Sequence, residues 1–158
     1  MNAQPRERRS GRYAHHDHSA PEVTLHSAYE PGEIARLTEV MENISETFEQ
    51  LEDLAARGHT AFHGEDFVIR FAAMTALIRL GEQAKRLGND FISQNPGPQY
   101  QLMVDQRNAL AHRYRSVDWD LVWGSLTIDV PRDSVSHRHV QEASLRTARR
   151  LAASRRED

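Results

Sequence analysis

The chain contains no cysteine. That excludes a disulfide framework and a zinc-thiolate centre, and it is compatible with a reducing compartment. It also lacks any apolar run of membrane-spanning length, and no apolar stretch of signal-peptide length follows the basic residues Arg6, Arg8 and Arg9. The expectation is a cytoplasmic protein without membrane contact. A global positive charge is missing too. With 20 Lys and Arg against 23 Asp and Glu the net charge is −3, so an attraction of the whole molecule to nucleic acid is excluded and any such site must be local. Lysine is nearly absent, Lys85 being the only one, which reads as a coding bias rather than a choice of guanidinium chemistry. Apolar residues make up only 39% of 158 positions, which fits one compact core of about 100 residues with tails.

Three segments follow from the pattern. Residues 1–32 mix charge, Ser, Gly and Pro without a sustained period and are expected to be a disordered tail. Its His15-His16-Asp17-His18 tract has ligand-type residues, but a flexible tract lacks preorganisation and supporting hydrogen bonds, so no metal is expected. Residues 33–131 read as a helical domain. Ile34, Leu37, Met41, Ile44, Phe48, Leu51 and Ala55 repeat at steps of three and four, making an amphipathic helix that Gly58 stops, with Glu39, Glu42, Glu46, Glu49, Glu52 and Asp53 on a solvated outer face. A second helix, capped by Asp66 or Glu65, runs to Leu87. It carries two apolar stripes, one of Phe67, Phe71, Met74 and Ile78, and Gly81 in its middle marks a close helix approach. Asn95-Pro-Gly-Pro98 breaks the chain. A third helix is expected from about Tyr100 to Arg115, with Leu102, Met103, Ala109 and Leu110 inward. Asp118 caps a fourth, with Val117 and Val122 as a staple and Trp119, Leu121, Val122, Leu126 and Ile128 packing, and Pro131 stops it. Residues 132–158 are a basic C-terminal tail or helix. From His137 onward it holds six arginines against Glu142, Glu157 and Asp158, either a mobile arm for phosphates or a charged tail of no consequence.

The densest chemistry lies in Arg107-Asn-Ala-Leu-Ala-His112-Arg-Tyr114. On a continuous helix Asn108, His112 and Arg115 share one face, and Arg107 stands about 140° from His112, an offset that a second copy of the helix would close. Metal-independent cleavage of RNA needs a base for the 2′-hydroxyl, a cation on the phosphorane and an acid for the leaving oxygen. For that chemistry His112 can serve as base or acid, Arg107 offers a forked cation, Asn108 can orient the imidazole or hold the phosphate, and Arg113 and Arg115 add local positive charge. On the residues alone a surface pair, in which Arg107 bonds Asp105 or Glu82, ranks above catalysis.

Arg107-x4-His112-x-Tyr114, with Asn108 directly after the arginine, resembles the R-x4-6-H core of the HEPN superfamily, and the tyrosine points to its HepT-like branch. Gly81-Glu82-Gln83-Ala84 resembles the Gly-Glu-Ala step of the preceding helix in that family, and Val117-Asp118-Trp119 with Val122-Trp123 resembles the segment after its motif. The proline-tryptophan approach to the motif is absent, and Arg113 stands where acidic or small residues are common. The resemblance covers residues 33–131. It implies an all-α, up-and-down four-helix bundle that dimerises and acts as the ribonuclease toxin of a bacterial toxin–antitoxin pair. It further implies Arg107 and His112 as catalytic groups, Asn108 and Glu82 in support, and Arg113 and Arg115 against RNA. Tyr114 would be modified by an ATP-using nucleotidyltransferase antitoxin. Neither a metal nor a cofactor is implied. A reading of a different class is a non-catalytic helical module whose motif is a protein-binding or modification surface.

Overall fold

The structure is a computed structural model that describes residues 29–157. The expected tail up to residue 28, with its histidine tract, lies outside the described residues. Every regular element among the described residues is helical: α1 (Pro31–Ala56), α2 (His59–His63), α3 (Val68–Leu87), α4 (Asn89–Gln94), α5 (Tyr100–His112), α6 (Trp119–Gly124) and α7 (Val130–Ser154), the last two joined by a π-helical turn over Ser125–Asp129.

The apolar period of α1 does what its spacing implies. Leu37, Met41, Ile44, Phe48 and Leu51 are buried together with Val40 and Thr47, and the helix ends at Gly58, whose φ of 88° few other residues adopt. α3 is central, packing on α1 along one side and α5 along the other. Ala73, Met74, Leu77, Leu80, Ala84 and Leu87 fill both contacts. Asp66 accepts a hydrogen bond from the Val68 amide (2.9 Å), completing the first turn of α3. Gly81 explains how close α3 and α5 come: a methyl there would overlap the Arg107 Cβ and stand 2.5 Å from the Met103 carbonyl oxygen.

Several expectations fail, each for a physical reason. Pro131 does not stop the fourth helix. The Val130 amide bonds the Ser125 carbonyl, five residues back, and this widened turn takes the strain of a proline that then sits in the first turn of α7, where its missing N–H costs little. The chain therefore runs helically from Trp119 to Ser154, and its basic end is helix packed through Val140 and Ser144. α5 ends at His112 rather than Arg115. Phe67, Phe71, Leu102, Ala109, Leu121 and Ile128, expected inside, are exposed, while Met74, Leu77, Met103, Leu110, Val122 and Leu126 carry the burial on the same elements. Trp119 and Trp123 are half-buried against Phe71 and Phe62 (ring centres 5.8 and 5.1 Å apart), a packing role.

The motif helix is tied at its start by a buried polar relay. The Tyr100 hydroxyl donates to His137 Nδ1 (2.7 Å), and His137 Nε2 donates to the Met41 carbonyl (3.0 Å) beside Ser45 Oγ (3.1 Å). Burial pushes the imidazole down to about 4, so it is neutral, and its tautomer follows from the carbonyl that only accepts. Burial also raises the Tyr100 phenol.

Candidate active site on helix α5

The site is built where α3 and α5 touch. With no side chain on Gly81, the two helices approach until Glu82, the next residue, meets Arg107. The Arg107 Nε and Nη2 both reach Glu82 Oε1, and Nη1 donates to Asn108 Oδ1 (2.7 Å). The guanidinium is thus oriented on both edges, with its side chain about a quarter exposed and Glu82 more open still. A planar cation held this way still presents N–H groups to solvent and is suited to a phosphate oxygen.

His112 is the last residue of α5 and is exposed. Arg107 and His112 stand about 140° apart around this helix, with Asn108 between them at about 100° from Arg107. One helix therefore offers phosphate contact and proton transfer on adjoining faces rather than on one. Arg113 leaves the helical conformation (φ −117°, ψ 24°), and residues 113–116 form an exposed turn. The shared face expected for Asn108, His112 and Arg115 is accordingly cut to Asn108 and His112. Tyr114 projects from the turn at 55% exposure; its hydroxyl accepts from Arg115 Nε (3.1 Å), whose guanidinium lies over the ring.

Asp118 follows as the cap of α6, its Oδ1 accepting from the amides of Asp120 (3.0 Å) and Leu121 (3.3 Å). Gln106 Nε2 donates to Ser125 Oγ (2.7 Å), fastening α5 to the π turn. Of the expected residues, the structure brings Glu82, Arg107 and Asn108 into one bonded array. His112 lies beside it on the helix, and Arg113, Tyr114 and Arg115 lie in the adjacent turn. The arginines of α7 are elsewhere: Arg146 follows Trp119 by 27 positions along continuous helix, roughly 40 Å.

A model of the family described as ribonuclease HepT-like matches residues 44–135. The chain belongs to the HepT-like ribonuclease family. A Thermococcus cleftensis protein named probable ribonuclease HepT is 32% identical over 95 residues, 58% of this chain and 83% of its own. A Methanocaldococcus jannaschii protein with a provisional RNase name is 37% identical over 65 residues, 41% of this chain and 60% of its own. A second protein of that organism, also provisionally named an RNase, is 25% identical over 103 residues, 63% of this chain and 78% of its own. No solved structure matches the chain significantly. The HepT-like match encloses Glu82, the whole motif and Tyr114, and it leaves out the arginines from Arg138 onward.

Two polar groupings escaped the sequence reading. His137 lies at helical spacing with the inward Val130, Ser134, Val140 and Ser144, and that register was the available signal for it. His63 Nε2 lies 2.9 Å from Asp120 Oδ1 and its Nδ1 lies 3.2 Å from the His59 carbonyl, joining α2 to α6. No sequence spacing links residues 63 and 120.

Proposed function

We propose that the chain is a metal-independent endoribonuclease, the toxin of a bacterial toxin–antitoxin pair. The observation that carries this is the Glu82–Arg107–Asn108 array beside an exposed His112, in a member of the HepT-like ribonuclease family. In the proposed reaction His112 takes the proton of the 2′-hydroxyl, and the 2′-oxygen attacks the adjacent phosphorus. Arg107 neutralises the non-bridging oxygens of the phosphorane, and the 5′-oxygen leaves with a proton from a second imidazole. The products are a 2′,3′-cyclic phosphate and a free 5′-hydroxyl. One chain has one such histidine, so the acid comes from a second copy, and the 140° offset between Arg107 and His112 favours a twofold dimer in which each cleft combines both chains. Arg113 and Arg115 hold flanking phosphates.

Tyr114 is the proposed switch. Its exposed hydroxyl can accept a nucleotidyl group from an ATP-using antitoxin, and the added phosphate would occupy Arg113 and Arg115 and block RNA. The domain that does this work is built around residues 33–131, and α7 packs on the same core through His137, Val140 and Ser144 before its arginine-rich end.

One observation favours the non-catalytic reading: Glu82 and Asn108 already engage the Arg107 guanidinium, as they would if it only pinned α5 to α3. A single experiment separates the two. Purified protein is incubated with labelled RNA in EDTA, alongside Arg107→Ala and His112→Ala. Catalysis predicts cyclic-phosphate products and a loss of about 10² to 10³ in rate for each variant, with the helical signal of a folded protein retained. Equal cleavage by both variants would assign the activity to another site.

A further inference from the structure

The second half of α7 carries a charge pattern that the candidate site does not use. The buried residues Val130, Asp133, Ser134, His137, Val140 and Ser144 fall on one side of this helix. Arg138, Arg146, Arg149 and Arg150 fall within about 120° on the opposite side, all exposed, and Arg155 and Arg156 follow where the helix ends. From Arg138 to Glu157 six arginines meet only Glu142 and Glu157, in a chain whose net charge is −3. Arg36, Arg79, Arg107 and Arg132 each pair with a carboxylate, whereas none of these six makes an ion pair among the described residues. Arg138 lines a cleft with Glu49 and Glu52 of α1, so acidic neighbours offset its charge. The uncompensated charge gathers from Arg146 to Arg156.

The composition of this face decides what it fits. Between Arg146, Arg149 and Arg150 and the helix end, only Ala153 shares the arc. The face therefore lacks the apolar, aromatic-rich centre of a protein–protein interface, and it offers no ring on which a base could stack. What remains is a row of forked cations about 15 Å long on a rigid helix. Such a row suits successive phosphates of a nucleic-acid backbone, held by charge and counter-ion release whatever the bases.

Its position sets the size of that nucleic acid. α5 and α7 run antiparallel, with Tyr100 meeting His137 and Gln106 meeting Ser125. Arg107 lies seven residues beyond Tyr100 in one direction, about 10 Å, and Arg146 lies nine residues beyond His137 in the other, about 14 Å. The two arginines are thus about 24 Å or more apart along the bundle. Arg107 points toward α3 while the arginines of α7 point away from the bundle, so the path over the surface is longer still.

We propose that the arginines from Arg146 to Arg156 anchor the phosphate backbone of the RNA substrate, and that the protein prefers RNAs large enough to occupy this anchor and the α5 site together. The proposal rests on the ribonuclease reading above. A folded RNA with a helical arm, held through its backbone, is then a better substrate than a short strand that reaches only α5.

Arg146→Gln, Arg149→Gln and Arg150→Gln combined in the full chain provide the test, because they remove three charges from an exposed face while keeping good helix formers there. Arg138→Gln is the matched control on the same helix. Each protein is given a hairpin RNA with a stem of about 16 base pairs, and a strand of about six nucleotides carrying the same cleavable step. KM and kcat are measured for both at about 0.1 M salt, and hairpin affinity is followed against salt concentration with His112→Ala added to prevent cleavage. The expected result for the triple variant is a hairpin KM raised about tenfold or more at unchanged kcat, and a logarithmic salt slope smaller by about 2 to 3. Cleavage of the short strand should not change, and Arg138→Gln should behave as the unaltered protein.

A triple variant that keeps the hairpin KM and salt slope of the unaltered protein overturns the anchor and leaves the ribonuclease reading standing. Hairpin binding that the triple variant loses, with no cleavage of any RNA by the unaltered protein, overturns the ribonuclease reading and retains the anchor as an RNA-binding surface. Polyglutamate that displaces labelled hairpin as well as unlabelled hairpin does, at equal charge, assigns the face to an acidic protein and overturns the proposal.

Discussion

Gly81→Ala separates what a helix wants locally from what the candidate site needs. In an isolated helix this exchange stabilises by about 1 kcal/mol, because alanine loses less backbone entropy. At position 81 the added methyl would stand 2.5 Å from the Met103 carbonyl oxygen and 3.1 Å from the Arg107 Cγ, and it would overlap the Arg107 Cβ. Optimal separations are about 3.5 to 4.0 Å, and all three obstructing atoms belong to the body of α5 rather than to the end of a flexible side chain. α3 and α5 must therefore part by roughly 1 Å, and overpacking of this kind costs about 1 to 3 kcal/mol. The propensity gain is outweighed in most of that range, giving a net loss of up to about 2 kcal/mol.

Gly124 is the control. It too is helical, at φ −56°, but a methyl there meets nothing within 4 Å, so Gly124→Ala should stabilise by about 0.5 to 1 kcal/mol. Urea unfolding followed by circular dichroism measures both, provided the slopes agree. Gly81→Ala should also cut RNA cleavage more than Gly124→Ala does, because the displaced segment carries Arg107. A Gly81→Ala protein as stable as Gly124→Ala would refute the close approach and the site geometry built on it.

Stability should fall on acidification because of His137. Its folded value is about 4 against an ordinary 6.5, so the unfolded chain takes the proton first. The contribution is complete above pH 6.5 and up to about 3 kcal/mol is lost as the pH drops toward 4; an unfolding midpoint constant from pH 7 to 4 would contradict this. Tyr114→Phe should keep RNA cleavage yet escape inactivation on co-expression with a nucleotidyltransferase partner, and a mass adduct mapped to another residue would reject Tyr114 as the switch. Light scattering at micromolar concentration should give twice the chain mass of 18.1 kDa, and a single-chain mass would remove the shared cleft.

What could be read from the sequence was what depends on local spacing. The three-and-four period of α1, the cap at Asp118 and the mid-helix Gly81 each report a contact within one turn or one helix surface, and each is found. What could not be read depends on competition between elements. Leu102 and Met103 both fit an inward face, but α3 covers only one side of α5, so Met103 is buried and Leu102 is exposed. Pro131 breaks an ideal helix, but not one that has already widened to an i−5 bond at Val130. The end of α5 escaped for a similar reason. Nothing in Arg113-Tyr-Arg-Ser116 forbids helix, and the turn there brings Asp118 round to cap α6.

That premature end has a consequence for how the proposed toxin would be both rigid and controllable. α5 is fastened at its start by the Tyr100–His137 relay, at its middle by the Gly81 contact and the Glu82–Arg107 pair, and on its flank by Gln106 on Ser125. Those ties hold Arg107 and Asn108, the groups that must meet a phosphate at fixed geometry, in regular helix. Beyond His112 the ties stop, and residues 113–116 are exposed. A tyrosine inside a packed helix would have to unfold it to enter another enzyme's active site, whereas Tyr114 in a turn reaches outward without disturbing α5. Modification there would act through charge on Arg113 and Arg115 and through bulk at the cleft, leaving the catalytic helix intact. An inhibited, modified protein should therefore keep the unfolding midpoint of the unmodified one while losing RNA binding, and a modified protein that loses structure would place the switch in the scaffold instead.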